Sequence, residues 1–373
     1  MPEILNWRTA ADLRDIVDRA VQALAKGRVV AFPTETVYGI AAGVWQPEAV
    51  ERLSRSKGRP EDKPLALAVR GAEEALDWVP QMPVVGRRLA RRCWPGPLTL
   101  VCDADRSGGL VERLAEPVRK RICPGATLGM RTPDHDAILL AMHGLSSPLA
   151  LTSANQSGQP EATTAEQVVE AMGAHVDLVI DDGPSPYGRP STVVRVSGDS
   201  WSMLREGALS TERMRRLAGC LVLFVCTGNT CRSPLAEALF KKRLAESLGC
   251  AVEELPERGF LVMSAGLAAM MGGTAAPEAV EAARELGADL SGHMSQPLTA
   301  QLLEQADYIV TMTRTHLQVL ADQFPGLRPR LRQLSAEGED IPDPIGCDQP
   351  VYQECARVIL SHLEKLAAEV QQA

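Results

Sequence analysis

A cysteine and an arginine six residues apart open the chemistry of this chain. In "VCTGNTCRSP" (225–234), Cys226 ends an apolar run and Arg232 stands directly before Ser-Pro. That spacing suits a phosphate cradle. Backbone amides of a short loop can converge on one anion, and the N-terminus of the following helix favours negative charge. Gly228 is expected to supply the permissive dihedral, Ser233 to cap the helix and Pro234 to take its first position. Arg232 adds a bidentate grip on phosphate oxygens. The same positive field favours the thiolate of Cys226, which is the nucleophilic form. Cys231 reads equally as a small buried residue or as the partner of a reversible, protective disulfide with Cys226. Far downstream, "EDIPDPIGCDQPVY" brackets Asp343 between Pro342 and Pro344 in a non-helical loop. A carboxylic acid at the mouth of a thiolate pocket suits proton donation to a leaving group and later activation of water.

The first two hundred residues carry a different set of groups. "AFPTETVYGIAAG" places two threonines, a carboxylate and a tyrosine in a turn after a strand. "SKGRPEDKPLALAV" holds Lys57, Arg59 and Lys63 within seven residues. Arg131 in "GATLGMRTPDH", the hydroxyls and amide of "LTSANQSG", Ser191 in "GRPSTVV" and Arg205 in "LREG" all fall near strand ends. Five polar and cationic clusters so placed point to a polyanion pocket built from loops. No G-x-x-x-x-G-K-[ST] occurs, so it is not a P-loop nucleotide site.

These groups need two scaffolds. The chain has 373 residues, suited to two domains of ordinary size, with 45% apolar residues and only 4% aromatic. In the first part, helices are expected at 10–27, 84–93, 136–143 and 164–173, with a helix running into a loop over 47–60, between short apolar strands, an α/β domain. After a hinge near 210–219, strands "LVLFV", "FLVMSAG" and "YIVTM" alternate with helices at 234–248, 277–286, 299–305, 315–323 and 350–370. That alternation predicts a doubly wound parallel sheet. Net charge is −8; the first 210 residues hold 24 basic and 26 acidic side chains and the rest hold 15 and 21. Neither part is built for strong non-specific nucleic-acid binding, and Arg87, Arg88, Arg91 and Arg92 read as a solvated helix face. Nine scattered cysteines and no 18-residue apolar run predict a reducing cytoplasm and no membrane.

The string "VCTGNTCRSP" with its late "DP" loop resembles the low-molecular-weight protein phosphatases, over about residues 220–370. The resemblance implies Cys226 as nucleophile, Arg232 as transition-state clamp and Asp343 as general acid and base, with no cofactor. It further implies that Ser233 hydrogen-bonds the thiolate and that Asn229, Ser264 and His293 shape the loop formed by Thr227, Gly228, Asn229, Thr230 and Cys231. The aromatic residue usual after D-P is Ile345 here, which removes a ring wall for phosphotyrosine. Bacterial arginine phosphatases of the same family share "CTGNTCRS", so phosphoarginine protein is the expected substrate and phosphotyrosine the alternative.

The strings "FPTETVYG", K-x-R, "WPGPLT", "TSANQSG" and "STVV", in that order, resemble the YrdC-like threonylcarbamoyl-AMP synthases over about residues 8–210. The resemblance implies that L-threonine, bicarbonate and ATP, with Mg²⁺, give threonylcarbamoyl-AMP for downstream proteins that modify tRNA adenosine. Thr36, Arg131 and Ser191 would hold threonine, and Lys57, Arg59, Lys63, Thr127, Ser153 and Arg205 would face ATP. Some relatives have a histidine where this chain has Ala68. The C-terminal domain of longer synthases is replaced by the phosphatase-like part. An RNA- or nucleotide-binding module without catalysis is the alternative for this part.

Overall fold

The computed structural model describes residues 1–58, 63–104 and 108–371. The chain divides into two compact units, Met1–Met214 and Arg215–Ala373.

The first unit is built on one ten-stranded mixed sheet. Its strands are β1 (Glu3–Asn6), β2 (Val30–Phe32), β3 (Gly39–Gly43), β4 (Ala66–Ala68), β5 (Leu98–Asp103), β6 (Thr127–Arg131), β7 (Leu149–Ser153), β8 (Leu178–Asp181), β9 (Thr192–Ser197) and β10 (Ser200–Arg205). They run in the order β1-β8-β2-β3-β7-β4-β6-β5-β9-β10. Parallel pairs (β1 with β8, β2 with β8, β4 with β6, β5 with β9) are mixed with antiparallel ones (β2 with β3, β3 with β7, β4 with β7, β5 with β6, β9 with β10). The helix Leu13–Ala25 packs Ile16, Ala20 and Leu24 beside Ile138 and Met142 of the helix Asp136–Leu145, closing one apolar cluster on the sheet. "GIAAG", read from sequence as part of a turn, is β3. Small residues buried at all five positions fit a strand flanked on both sides. The solvated stripe of arginines on the helix Val84–Cys93 holds only in part: Arg87 is exposed, but Arg88 is buried and Arg91 and Arg92 are half-buried.

The second unit is a four-stranded, all-parallel sheet, β12-β11-β13-β14, from β11 (Cys220–Cys226), β12 (Phe260–Gly266), β13 (Tyr308–Thr311) and β14 (Leu331–Gln333). Every residue of β11 is buried, and alternate side chains feed two cores. Cys220, Val222, Phe224 and Cys226 join the cluster under the helices Arg232–Leu248, Pro277–Glu285 and Gln349–Gln371. Leu221, Leu223 and Val225 join the one under Ala300–Gln305 and Arg314–Gln323. A strand buried on both faces carries no polar alternation, which is why "CLVLFVC" reads as a continuous apolar run. β11 ends at Cys226, so the sheet delivers the thiol to its carboxyl edge, where parallel α/β sheets bind ligands.

Candidate active sites

In the second unit the loop after β11 closes on the sulfur. The amide of Asn229 donates to Cys226 Sγ at 3.2 Å, and Ser233 Oγ lies 2.9 Å from the same sulfur. The helix begins at Arg232, two residues earlier than expected. Ser233 therefore does not cap it. Its hydroxyl lies within the first turn, where it serves the thiol and accepts from Asn229 Nδ2 at 3.0 Å. The permissive dihedral is also displaced by one residue. Asn229, not Gly228, adopts the left-handed conformation, with φ 55°. Asparagine tolerates that region better than most residues.

Asn229 is fully buried and all its polar groups are used. Besides Ser233, Nδ2 donates to Ser264 Oγ at 2.9 Å, Oδ1 accepts from the amide of Gln296 at 2.9 Å, and its carbonyl meets His293 Nε2 at 2.8 Å. Ser264 in turn donates to Glu237 at 2.6 Å. Ser264 and His293 thus reach the loop through one asparagine. Asn229→Ala removes one partner from each of two buried hydroxyls, which keep another, and the acceptor of the Gln296 amide. It is expected to lower the stability of this unit by about 1–3 kcal/mol, the cost of one group left unmade, measured as a lower urea midpoint.

Arg232 is buried beneath the loop mouth. It donates to the carbonyl of Ile341 at 3.3 Å and pairs with Asp343 Oδ2 at 2.5 Å. Asp343 is 46% exposed, open to an arriving substrate, and its Oδ1 accepts from the amide of Ile345 at 3.3 Å. The Ile345 side chain stands 69% exposed. Thr230 is half-buried in the loop, with its hydroxyl 3.6 Å from Cys231 Sγ. Cys231 occupies the position before the helix, buried, with Sγ 3.4 Å from the Tyr352 hydroxyl. Burial, then that contact, raises Tyr352 well above the usual phenol range. Tyr352 was quoted in the Asp343 loop but given no part in the site; its side chain walls the cysteine from behind.

In the first unit, a cavity of about 200 Å³ opens over the centre of the sheet. Arg131, Ser153, Ser191 and Arg205 line it, drawn from β6, β7, the approach to β9 and β10. Arg131 is 7% exposed. It donates to Glu35 Oε1 and to Thr36 Oγ1, both at 2.8 Å, and to the carbonyl of Gly96 at 3.2 Å. Thr36 is thereby attached to the cavity through Arg131. Ser191 lies 2.9 Å from Thr99 Oγ1, and Arg205 donates to the Ser191 carbonyl at 2.8 Å. Burial lowers Arg205 from its ordinary value, with Glu161 acting the other way. Lys57 is buried behind Ser153. It donates to the Ser153 carbonyl at 2.7 Å, to Asn155 Oδ1 at 2.6 Å and to the carbonyl of Asn155.

Two expected nucleotide contacts do not line this cavity. Thr127 stands at the opposite end of β6 from Arg131, its hydroxyl 3.4 Å from the Pro124 carbonyl. Lys63 is exposed, one residue before the cavity-lining Pro64. Arg59 lies outside the described residues. Glu35, Thr99 and Asn155 are polar partners to which sequence reasoning assigns no role, although all three stand inside the quoted strings "FPTETVYG", "WPGPLT" and "TSANQSG". A larger cleft, about 1360 Å³, is lined by exposed charges on the helix Glu116–Ile122. Several of them are paired with one another, as Glu116 is with Lys120 and Glu51 with Arg121, so size alone does not locate the chemistry.

Among the described residues no cluster of three or more His, Cys, Asp or Glu side chains could hold a metal ion, and no carboxylate lines the smaller cavity. Its residues do not fit a protein-held Mg²⁺, which takes carboxylate and water oxygens.

Comparison with known proteins resolves the chain into the same two parts. The family profile Sua5_yciO_yrdC, described as "Telomere recombination", matches residues 22–207, and that of the low molecular weight phosphotyrosine protein phosphatases matches residues 221–373. Threonylcarbamoyl-AMP synthase of Bacillus subtilis is 33% identical over 206 residues, covering 54% of this chain and 56% of that protein. The chain thus spans little more than half the length of the leading synthases it matches, 56% and 55%. A putative threonylcarbamoyl-AMP synthase of Mycobacterium tuberculosis is 35% identical over 200 residues, 54% of this chain and 88% of its own length. Protein-arginine-phosphatase of Bacillus subtilis is 40% identical over 153 residues, 40% of this chain and 95% of its own length.

Proposed function

Because the chain belongs to two families at once, the Sua5/YciO/YrdC family through its first part and the low molecular weight phosphotyrosine protein phosphatases through its second, we propose that it is a bifunctional enzyme. The first unit makes threonylcarbamoyl-AMP and the second hydrolyses phosphoprotein. The observation that carries the reading is Cys226 at the end of a buried strand, hydrogen-bonded by its own loop and flanked by the Arg232–Asp343 pair.

In the phosphatase step, Cys226 Sγ attacks phosphorus while the bond to the leaving atom breaks. Asp343 gives that atom a proton, and Arg232 holds the equatorial oxygens. Water then attacks the cysteinyl phosphate, giving its proton to Asp343 and returning the thiolate. A carboxylate seated on a guanidinium has no proton to give. The incoming phosphoryl group must therefore take Arg232 over and release Asp343 towards the leaving group.

In the synthase step, N-carboxylated threonine, formed from threonine and bicarbonate with loss of water, attacks the α-phosphorus of ATP and pyrophosphate leaves. Arg131, with Thr36 and Ser191, holds threonine, and Lys57, Ser153 and Arg205, with Arg59, serve the nucleotide; Thr127 and Lys63, which do not line the cavity, are left out of this assignment. Among the described residues no carboxylate lines the cavity to hold Mg²⁺, so no step is assigned to the metal. The product passes to proteins that transfer threonylcarbamoyl to tRNA. The odd number of cysteines favours a reducing compartment, the cytoplasm.

Incubation with ATP, threonine and bicarbonate is expected to release pyrophosphate, and Arg59→Ala to abolish that release while phosphatase turnover persists. Pyrophosphate release that needs no threonine in the wild type leaves the binding-module reading standing instead. Thr230 and Ile345 set the phosphatase substrate. A hydroxyl in the loop can contact a guanidinium nitrogen, and Ile345 forgoes the ring stacking, worth about 0.5–1.5 kcal/mol, that favours phosphotyrosine. The wild type is expected to show higher kcat/KM on phosphoarginine protein than on phosphotyrosine peptide. Thr230→Ile should shift the ratio towards phosphotyrosine. The reverse preference in the wild type makes it a tyrosine phosphatase.

A further inference from the structure

His316 touches the phosphate loop without belonging to the Asn229 network. It is buried in the first turn of the helix Arg314–Gln323, where Thr313 Oγ1 accepts its backbone amide at 3.2 Å. Its Nε2 lies 2.9 Å from the hydroxyl of Thr227, the residue that follows the nucleophile. Its other ring nitrogen, Nδ1, is buried and meets no hydrogen-bond partner among the described residues. Thr227 itself is exposed, and its carbonyl accepts the amide of Ala268 at 2.9 Å, tying the loop to the segment after β12.

The ring's surroundings decide its proton. A buried N–H without an acceptor is rarer than a buried acceptor without a donor. The proton of the neutral ring therefore belongs on Nε2, which donates to Thr227 Oγ1. The threonine hydroxyl then keeps its own proton for a second partner, on the exposed side beside Cys226.

We propose that His316 is a positioning residue for the phosphatase reaction, holding Thr227 so that its hydroxyl presents a donor to the phosphorylated substrate seated on the loop. The inference rests on the reading of the second unit as a phosphatase. Three charged groups face the ring: Arg232 from the loop, and Asp340 and Asp343 from the acid loop. Burial first, and Arg232 second, lower His316 from the ordinary histidine range, while Asp340 and Asp343 act in the opposite direction. The ring thus stays neutral through the ordinary histidine range and gains a proton only as pH falls below it. Protonation would leave an N–H at Nδ1 without an acceptor and add a cation beside Arg232. The contribution of His316 is full above that range and is lost as pH falls.

The test uses the full chain and p-nitrophenyl phosphate, with initial rates across about pH 5 to 8. His316→Leu and Thr227→Val are each expected to lower kcat about five- to tenfold, the value of one lost hydrogen bond, with KM changed less than about twofold. If His316 acts through Thr227, the double variant is no slower than the slower single variant. His316→Gln keeps a donor and cannot take a proton, so it should retain most of kcat at neutral pH and move the acid limb to lower pH. Should His316→Leu fail to fold, Thr227→Val on the exposed loop and the His316→Gln profile still decide. Additive losses in the double variant, kcat of His316→Leu above half of wild type, or an acid limb unmoved in His316→Gln would overturn the inference alone. Wild-type turnover that Cys226→Ser does not abolish would overturn the phosphatase reading and this inference together.

Discussion

Cys226→Ser is expected to leave no measurable phosphatase turnover, and Asp343→Asn to slow it by about 10²–10⁴-fold, the range for a lost general acid. The first expectation follows from what surrounds the sulfur. Cys226 Sγ meets the Ser233 hydroxyl at 2.9 Å and the Asn229 amide at 3.2 Å, groups that stabilise negative charge on it and take no proton from it. A serine hydroxyl in that place, far less acidic by nature than a thiol and with no base among these contacts, is not turned into a nucleophile. The fold should be preserved, since the change is small and both neighbours still have an oxygen to bond; an unchanged urea midpoint checks this. Asp343→Asn keeps one acceptor oxygen, enough for Arg232 or the Ile345 amide but not both, and removes the transferable proton. The dependence on the leaving group then separates lost chemistry from lost positioning. A slow leaving group should suffer most and p-nitrophenolate, which needs little protonation, least. Phosphate release retained by Cys226→Ser would sink the nucleophile assignment.

How far this site can be read from sequence varies residue by residue. Cys226, Arg232 and Asp343 are legible because chemistry constrains both type and spacing. The parallel sheet that carries them is legible because a strand buried on both faces has no polar positions. The conformation of the loop is less so. Gly228 was the obvious residue for a left-handed turn, yet Asn229 takes it, because the asparagine side chain is held by Ser233, Ser264 and Gln296 at once. Those partners lie up to 67 residues away in the chain, beyond any local signal. The same holds for His316, 89 residues from Thr227. In the first unit, β3 is hidden by its composition: four of its five residues are Gly or Ala, which carry little strand signal until both neighbours, β2 and β7, are in place. Glu35 was in view within its string, but its burial against Arg131 arises from a strand 96 residues on.

Arg131→Ala is expected to abolish threonine-dependent pyrophosphate release and to destabilise the first unit by about 3–5 kcal/mol, the cost of removing one partner of a buried ion pair. Arg131 and Glu35 are 7% and 6% exposed. Glu35 Oε1 accepts from Arg131 at 2.8 Å and Oε2 from the Asp134 amide at 3.0 Å, so truncation leaves a buried carboxylate with half its support. The guanidinium also holds Thr36 Oγ1 and the Gly96 carbonyl, two loops that border the cavity. Loss of activity in Arg131→Ala alone would therefore not distinguish a substrate contact from a collapsed wall. Arg131→Lys does. An ammonium keeps a charge beside Glu35 and should recover most of the stability, yet it cannot reach Glu35, Thr36 and Gly96 together, nor offer a planar fork to a carboxylate. If Arg131 grips threonine, Arg131→Lys melts near the wild type while its KM for threonine rises at least tenfold, and phosphatase turnover in the same molecule stays at the wild-type rate. If Arg131 is only a strut, activity returns with stability and the assignment of threonine to this end of the cavity fails.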